Sequence, residues 1–110
     1  MNERERRIGE NEALFRSVNE QVQGLTQTLT VAAERVRAVC ECGVQSCIEH
    51  IELHPQEYEQ IRADPTLFVI KPGHEFTEVE EVANRNDRYW LVRKDPGGPA
   101  ALARATDPRS

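Results

Sequence analysis

The sequence predicts an α+β protein in which a long N-terminal coiled-coil-type helix precedes a small metal-stapled mixed α/β head. Apolar residues recur at alternating gaps of three and four along the first third of the chain, which is the period of a helix with one apolar stripe. Short apolar runs separated by Pro, Gly and Asp turns follow. All three cysteines lie at the junction. We therefore predict a helix over residues 1–38, a metal-binding domain over 39–94 and a disordered tail over 95–110.

The predicted helix carries a heptad stripe that we expect to pair with another helix. Asn2 followed by Glu5 is typical of a capping box at its start. Because the following head is small for covering the whole stripe, we expect a homo-oligomer formed through a coiled coil. The stripe consists of Phe15, Val18, Val22, Leu25, Leu29, Ala32 and Val36.

The head is predicted from local turn and capping patterns. Residues 38–42 and 48–53 alternate and predict a hairpin with the cysteines at its tip. His54-Pro55 opens a short helix, because proline suits the first helical position. Residues 67–70 predict a buried strand, and residues 88–94 predict the last strand. Thr77-x-x-Glu80 is typical of a capping box, which predicts a further short helix.

The cysteine cluster, Cys40-Glu41-Cys42 with Cys47 five positions on, indicates a metal site. Without a secretory leader we expect a cytoplasmic protein, in which thiols stay reduced and free to bind metal. Structural zinc takes four sulfur and nitrogen ligands, and a small domain gains much of its stability from one ion. Inert buried thiols are the alternative. An iron–sulfur cluster is the alternative cofactor, since Cys and His ligands also hold such clusters.

Three histidines compete to be the fourth ligand. His50 is nearest in sequence, but it lies in a predicted strand that leads away from the cysteines. His54 precedes a predicted helix and is a candidate for its cap. His74 follows Pro72-Gly73 in a rigid turn on a separate segment, and metal sites usually draw ligands from two segments. We therefore predict the set Cys40, Cys42, Cys47 and His74, with His50 and His54 as alternatives.

Several short motifs resemble those of a group of small actinobacterial-type proteins that have no assigned activity. The resemblance covers most of the chain except the tail, and it implies that the three cysteines and the Pro-Gly-His turn belong to one pattern. It also implies that positions 50 and 54 are not usually histidine. The motifs are residues 8–16, 39–42, 57–59, 62–65, 72–75 and 85–89.

The remaining patterns exclude or disfavour several function classes. The formal net charge of −5 disfavours general binding to nucleic acid, so a nucleic-acid-binding zinc module is the least favoured reading. No apolar run has the length of a membrane span. No pattern indicates an activated nucleophile or an oxyanion hole, so we do not predict an enzyme. We predict a metal-binding interaction or regulatory protein, or alternatively a redox or metal sensor that uses the same cysteines.

Overall fold

Three helices and five strands make up the part of the chain that the structure describes. The protein is described by a computed structural model that covers residues 1–29 and 35–109, without the side chains of residues 25–29. This order confirms the predicted α+β class. No helix in the described ranges is long and apolar enough to cross a membrane. The elements are α1 (Glu3–Leu29), β1 (Val36–Val39), β2 (His50–Leu53), α2 (Pro55–Arg62), β3 (Leu67–Ile70), β4 (Glu80–Arg85), β5 (Trp90–Lys94) and α3 (Gly98–Ala105).

Helix α1 starts as predicted but does not continue to residue 38. The backbone N–H of Glu5 donates to Asn2 Oδ1 at 2.8 Å, and the N–H of Asn2 donates to Glu5 Oε1 at 2.9 Å, which is a reciprocal capping box. At the other end, Val36 belongs to β1 and pairs with Leu53. The assignment of Val36 to the heptad stripe is therefore wrong, because ladder hydrogen bonds hold this segment extended. Ala32 lies outside the described residues.

The face of α1 that packs on the rest of the chain is largely polar. Beside Ile8, it buries Glu12, Arg16, Asn19 and Gln23, each at most 1 % exposed. Their spacing of three and four places them on one side of the helix. Hydrogen bonds from the rest of the chain reach Glu12, Arg16 and Asn19, as buried polar groups require, whereas the Gln23 side chain has no hydrogen-bond partner among the described residues.

The predicted heptad stripe lies beside this polar face and is not fully covered by the chain itself. Phe15 and Val22 are half-buried, and Val18 is 37 % exposed. Leu14, on the outer side of the stripe, is 54 % exposed. The side chains of Leu25 and Leu29 lie outside the described residues.

The strands form two small antiparallel sheets. Strands β1 and β2 pair from Val36 with Leu53 to Val39 with His50, as the predicted hairpin requires. Strands β3, β5 and β4 form a second sheet in that spatial order. Glu41, in the loop after β1, links the two sheets because its N–H donates to the Val69 carbonyl at 2.8 Å.

Strand β4 replaces the short helix predicted from Thr77. Part of the capping pattern forms: Glu80 Oε2 accepts a hydrogen bond, at 2.9 Å, from the backbone N–H of Phe76, the residue before Thr77. The chain nevertheless continues as a strand, because Glu80 to Arg85 pair with β5 across a register shift between Val82 and Asn84. Pairing with the next strand of the chain overrides the local helical pattern.

Helix α3 lies where the disordered tail is predicted. Ala100 and Ala103 on this helix are buried. Arg16 of α1 donates from Nη2 to the Ala103 carbonyl and from Nη1 to the Pro65 carbonyl, both at 2.7 Å. A cation that bonds last-turn carbonyls stabilises the end of a helix. Arg62 of α2 forms an ion pair with Asp107 just beyond α3.

Side chains from both sheets and α2 meet in one apolar core. The largest of its fully buried members are Tyr58, Phe68, Ile51, Leu53 and Ile70. Cys40 and Cys42 lie at its edge. The candidate site is therefore built on the rim of the core.

Candidate metal site

Two segments bring the predicted ligands together. Cys40, Cys42 and Cys47 lie in the loop between β1 and β2. His74 comes from the turn after β3, which the His74 N–H closes by donating to the Lys71 carbonyl at 3.1 Å. Gly73 in this turn has a φ of +88°, a conformation that favours glycine. The turn thus places the His74 imidazole next to the cysteine loop.

The four donor atoms are spaced as a single tetrahedral ion would need. All of them lie within 4.8 Å of one another. His74 Nδ1 lies 3.6 Å from Cys40 Sγ and 3.8 Å from Cys47 Sγ. Bond lengths of ~2.3 Å for zinc–sulfur and ~2.0 Å for zinc–nitrogen give nitrogen–sulfur edges of roughly 3.5 Å in a regular tetrahedron. The two nitrogen–sulfur distances are therefore close to those of a tetrahedral zinc site.

Burial divides the four residues into an inner and an outer pair. Cys40 and Cys42 are at most 1 % exposed, whereas Cys47 and His74 are half-buried. An ion held here would rest against the apolar core on one side and approach solvent on the other. Four protein donors would fill its coordination shell, as in structural rather than catalytic zinc sites.

Backbone N–H groups point at the sulfur atoms. The Lys71 N–H donates to Cys40 Sγ at 3.2 Å, and the backbone of Val44 bonds Cys42. A hydrogen bond from the Cys40 thiol lowers the pKa of Cys42 to about 5, and the same bond, followed by burial, raises the pKa of Cys40. Burial is the main cause that raises the pKa of Cys47. The Cys40–Cys42 pair thus favours a first thiolate, the form that binds metal.

The two alternative histidines lie elsewhere. His50 is an exposed residue of β2. His54 is the N-cap of α2, and its backbone N–H donates to Glu57 Oε1 at 2.7 Å. Among the described residues, His74 is the histidine that the fold brings to the three cysteines.

Glu41 is a residue of the site that the sequence analysis missed. It lies between Cys40 and Cys42 but is 0 % exposed. Its carboxylate accepts hydrogen bonds from Asn19 Nδ2 at 2.8 Å, Tyr58 OH at 3.0 Å and the Val69 N–H at 3.1 Å. The signal was the alternation of an extended Cys-Glu-Cys run, which directs the middle side chain away from its neighbours.

Gly43 lets the cysteine loop pass close beneath α1. A Cβ on Gly43 would lie 2.5 Å from Ile8 Cγ2 and 3.1 Å from the Phe76 ring. Asn11 Nδ2 donates to the Gly43 carbonyl at 2.9 Å. Glycine is therefore required at this position because there is no space for a side chain.

No protein-family model matches this chain, and no match is found among curated proteins or among solved structures. The chemistry of the four donors and the surfaces around them therefore carries the functional argument.

Proposed function

We propose that this protein is a zinc-stabilised interaction protein that self-associates through the outer face of α1. The single observation that carries the metal part is the meeting of Cys40, Cys42, Cys47 and His74 within 4.8 Å. Structural zinc would hold the β1–β2 loop to the turn after β3. Such a link joins the two sheets, and it would contribute stability that a small core supplies only in part.

The donor set favours zinc over an iron–sulfur cluster. Soft thiolates with one imidazole in a compact tetrahedron are typical zinc ligands. A two-iron cluster divides its ligands between two metal atoms and needs them more widely spread. Donors that are all within 4.8 Å of one another suit one ion.

The exposed side of α1 supports self-association. Leu14 is 54 % exposed and Val18 is 37 % exposed, while the polar side of the helix is already packed on the chain. An apolar stripe with heptad spacing beside them is the arrangement from which coiled coils form. The occupant that we propose for this face is α1 of a second copy.

Metal content and a set of histidine variants test the zinc proposal. Protein purified under reducing conditions without chelator should contain about one zinc per chain and no visible absorption. In competition with a chromogenic chelator, His74→Ala should bind zinc at least about tenfold more weakly than the parent. His50→Ala and His54→Ala are matched controls and should behave as the parent. Visible absorption with stoichiometric iron, or metal-free folded protein, would overturn the proposal.

A second candidate function, redox sensing, is favoured by the position of Cys47. It is the partly exposed member of the three thiols. Hydrogen peroxide would accept two electrons from two zinc-bound thiolates, giving a disulfide, two hydroxide ions and free Zn²⁺. Release of zinc that tracks loss of two thiols per chain, and reverses on reduction in the presence of zinc, would support this function. Zinc retained at peroxide excess would exclude it.

A further inference from the structure

An open cleft lies between the start of α1 and the cysteine loop. Its volume is about 300 Å³, and its walls include Arg4, Arg7, Ile8, Val44 and Phe76. We call it the Arg7 cleft. A second cavity of about 250 Å³ shares Val44 and Phe76 and continues to His74. Together they form a surface groove that ends at the candidate metal site.

The charge of the Arg7 cleft is opposite to that of the whole chain. Two arginines line it and no carboxylate does, whereas the chain has a formal charge of −5. Glu75 is the acidic residue of the adjoining cavity. Because Glu78 pairs with Arg4, the positive charge of the cleft comes from Arg7, and this charge attracts carboxylates.

The two arginines differ in how they are held. Arg4 forms an ion pair with Glu78 at 2.9 Å, and its guanidinium lies 5.8 Å from the centre of the Phe76 ring. These contacts fix it along the wall. Arg7 is exposed and forms no ion pair within residues 1–29 and 35–109. Its guanidinium is therefore available for a carboxylate that enters the cleft.

The exposed apolar residues of the groove belong to the cysteine loop, residues 40–49. Val44 is 42 % exposed although it lies between two proposed ligands, Cys42 and Cys47. Ile48, directly after Cys47, is 84 % exposed. A loop held at both ends by a metal loses little conformational entropy when it binds a partner. Exposed apolar residues in such a loop therefore favour docking.

We propose that the Arg7 cleft is a docking site for an acidic protein segment in which an apolar side chain is flanked by carboxylates. The apolar side chain contacts Val44 and Phe76, and a carboxylate pairs with Arg7. This inference rests on the proposed function in one respect: the metal holds Val44 in place. It adds a second surface at the N-terminal end of α1, which adjoins the α1 face proposed for self-association.

Selection from a library of random linear peptides on the zinc-loaded full chain tests the proposal. Selected peptides should be enriched in an apolar residue next to Asp or Glu. Titrated by fluorescence anisotropy, such a peptide should bind Arg7→Glu about tenfold or more weakly than the parent, because an attractive charge contact becomes repulsive. Val44→Ser should also weaken binding. Arg6→Glu makes the same charge change on exposed α1 surface outside the cleft and should leave the affinity near that of the parent.

Other outcomes overturn the docking proposal without affecting the zinc proposal. No enrichment, enrichment of basic peptides, or equal losses for Arg6→Glu and Arg7→Glu would each contradict it. Self-association that Arg7→Glu abolishes would identify a second copy as the occupant instead. Zinc content is measured on the same samples, so failure of the zinc proposal appears as metal-free protein, whereas failure of docking appears with zinc bound.

Discussion

Asn19 of α1 donates from Nδ2 to the carboxylate of Glu41 at 2.8 Å, and both side chains are fully buried. Glu41 lies between two of the proposed metal ligands. This hydrogen bond therefore connects the N-terminal helix to the cysteine loop through the Glu41 side chain. With the hydrogen bond from Asn11 Nδ2 to the Gly43 carbonyl, it holds the loop on the helix.

Replacing Asn19 with alanine should destabilise the protein strongly. Asn19 also accepts from the Val39 N–H at 2.8 Å and donates to the Val39 carbonyl at 2.9 Å. Its loss leaves buried groups of Val39 and Glu41 without these partners, at a cost of roughly 2–4 kcal/mol in the free energy of unfolding. Urea denaturation of the zinc-loaded protein measures this cost. Gln21→Ala, on the exposed side of the same helix, should change it by less than about 0.5 kcal/mol. Equal effects of the two variants would contradict the prediction.

The contribution of Glu12 to the free energy of unfolding should fall as the pH rises. Burial, and then its hydrogen bond to Glu80, raises the pKa of Glu12 well above its usual 4.5, although Lys94 Nζ lies 2.5 Å from its Oε1. The folded state therefore holds this proton while the unfolded chain releases it above pH 4.5. This contribution is fully present below that pH and is lost as the pH rises toward the folded-state pKa.

The variant Glu12→Gln tests this pH dependence. It imitates the protonated carboxyl, so its stability relative to the parent should increase between pH 5 and pH 8. Urea denaturation at both pH values gives the comparison. Glu10→Gln, at an exposed position of α1, should show no such change. A parent-like pH slope in Glu12→Gln would show that Glu12 is ionised in the folded protein.

Glu57 should stabilise the protein at neutral pH and lose this effect in acid. Its hydrogen bonds to Arg88, with others from the His54 backbone and Tyr89, lower the pKa of Glu57 to about 2. Because the folded-state pKa is depressed, the stabilisation is present above the unfolded value of 4.5 and is lost as the pH falls toward about 2. The side chain of Glu57 is 25 % exposed, so solvent reduces the effect.

The variant Arg88→Ala tests the contribution of Glu57 to the free energy of unfolding. We expect a loss of about 1–2 kcal/mol at pH 7 that shrinks at pH 4 and further at pH 3. Arg37→Ala, an exposed position of β1, is the control for removing one positive charge. A loss for Arg88→Ala that is independent of pH would indicate packing rather than the ion pair.

A charge on the outer face of α1 should prevent self-association. Val18→Asp places a carboxylate in the apolar stripe, where a coiled coil would have to bury it. Sedimentation equilibrium should show an oligomer for the parent and at least about tenfold weaker association for Val18→Asp. Ser17→Asp, which places the same charge on the side of the helix away from the stripe, should associate as the parent does. A monomeric parent at high concentration would refute self-association.

The candidate site could be predicted from the sequence because short local patterns mark its residues. The close spacing of Cys40, Cys42 and Cys47 places three thiols in one loop whatever the surrounding fold. The rigid Pro72-Gly73 turn marked His74 as an arm from a second segment. Helix α2 and strand β3 were also predicted, since a proline start and a short apolar run specify them without distant partners.

The tertiary structure decided the features that depend on distant partners. Val36 joins β1 because Leu53 pairs with it, and Glu80 starts β4 because β5 lies beside it. Residues 98–105 form a helix in a segment rich in Pro, Gly and Ala, and Arg16 donates a hydrogen bond to its Ala103 carbonyl. Local composition cannot report such contacts, because their free energy comes from hydrogen bonds and burial between residues far apart in the chain. The sequence by itself therefore determined the grouping of the three cysteines with His74 and the α+β class. Only the fold showed that α1 buries its polar face and leaves part of its apolar stripe exposed.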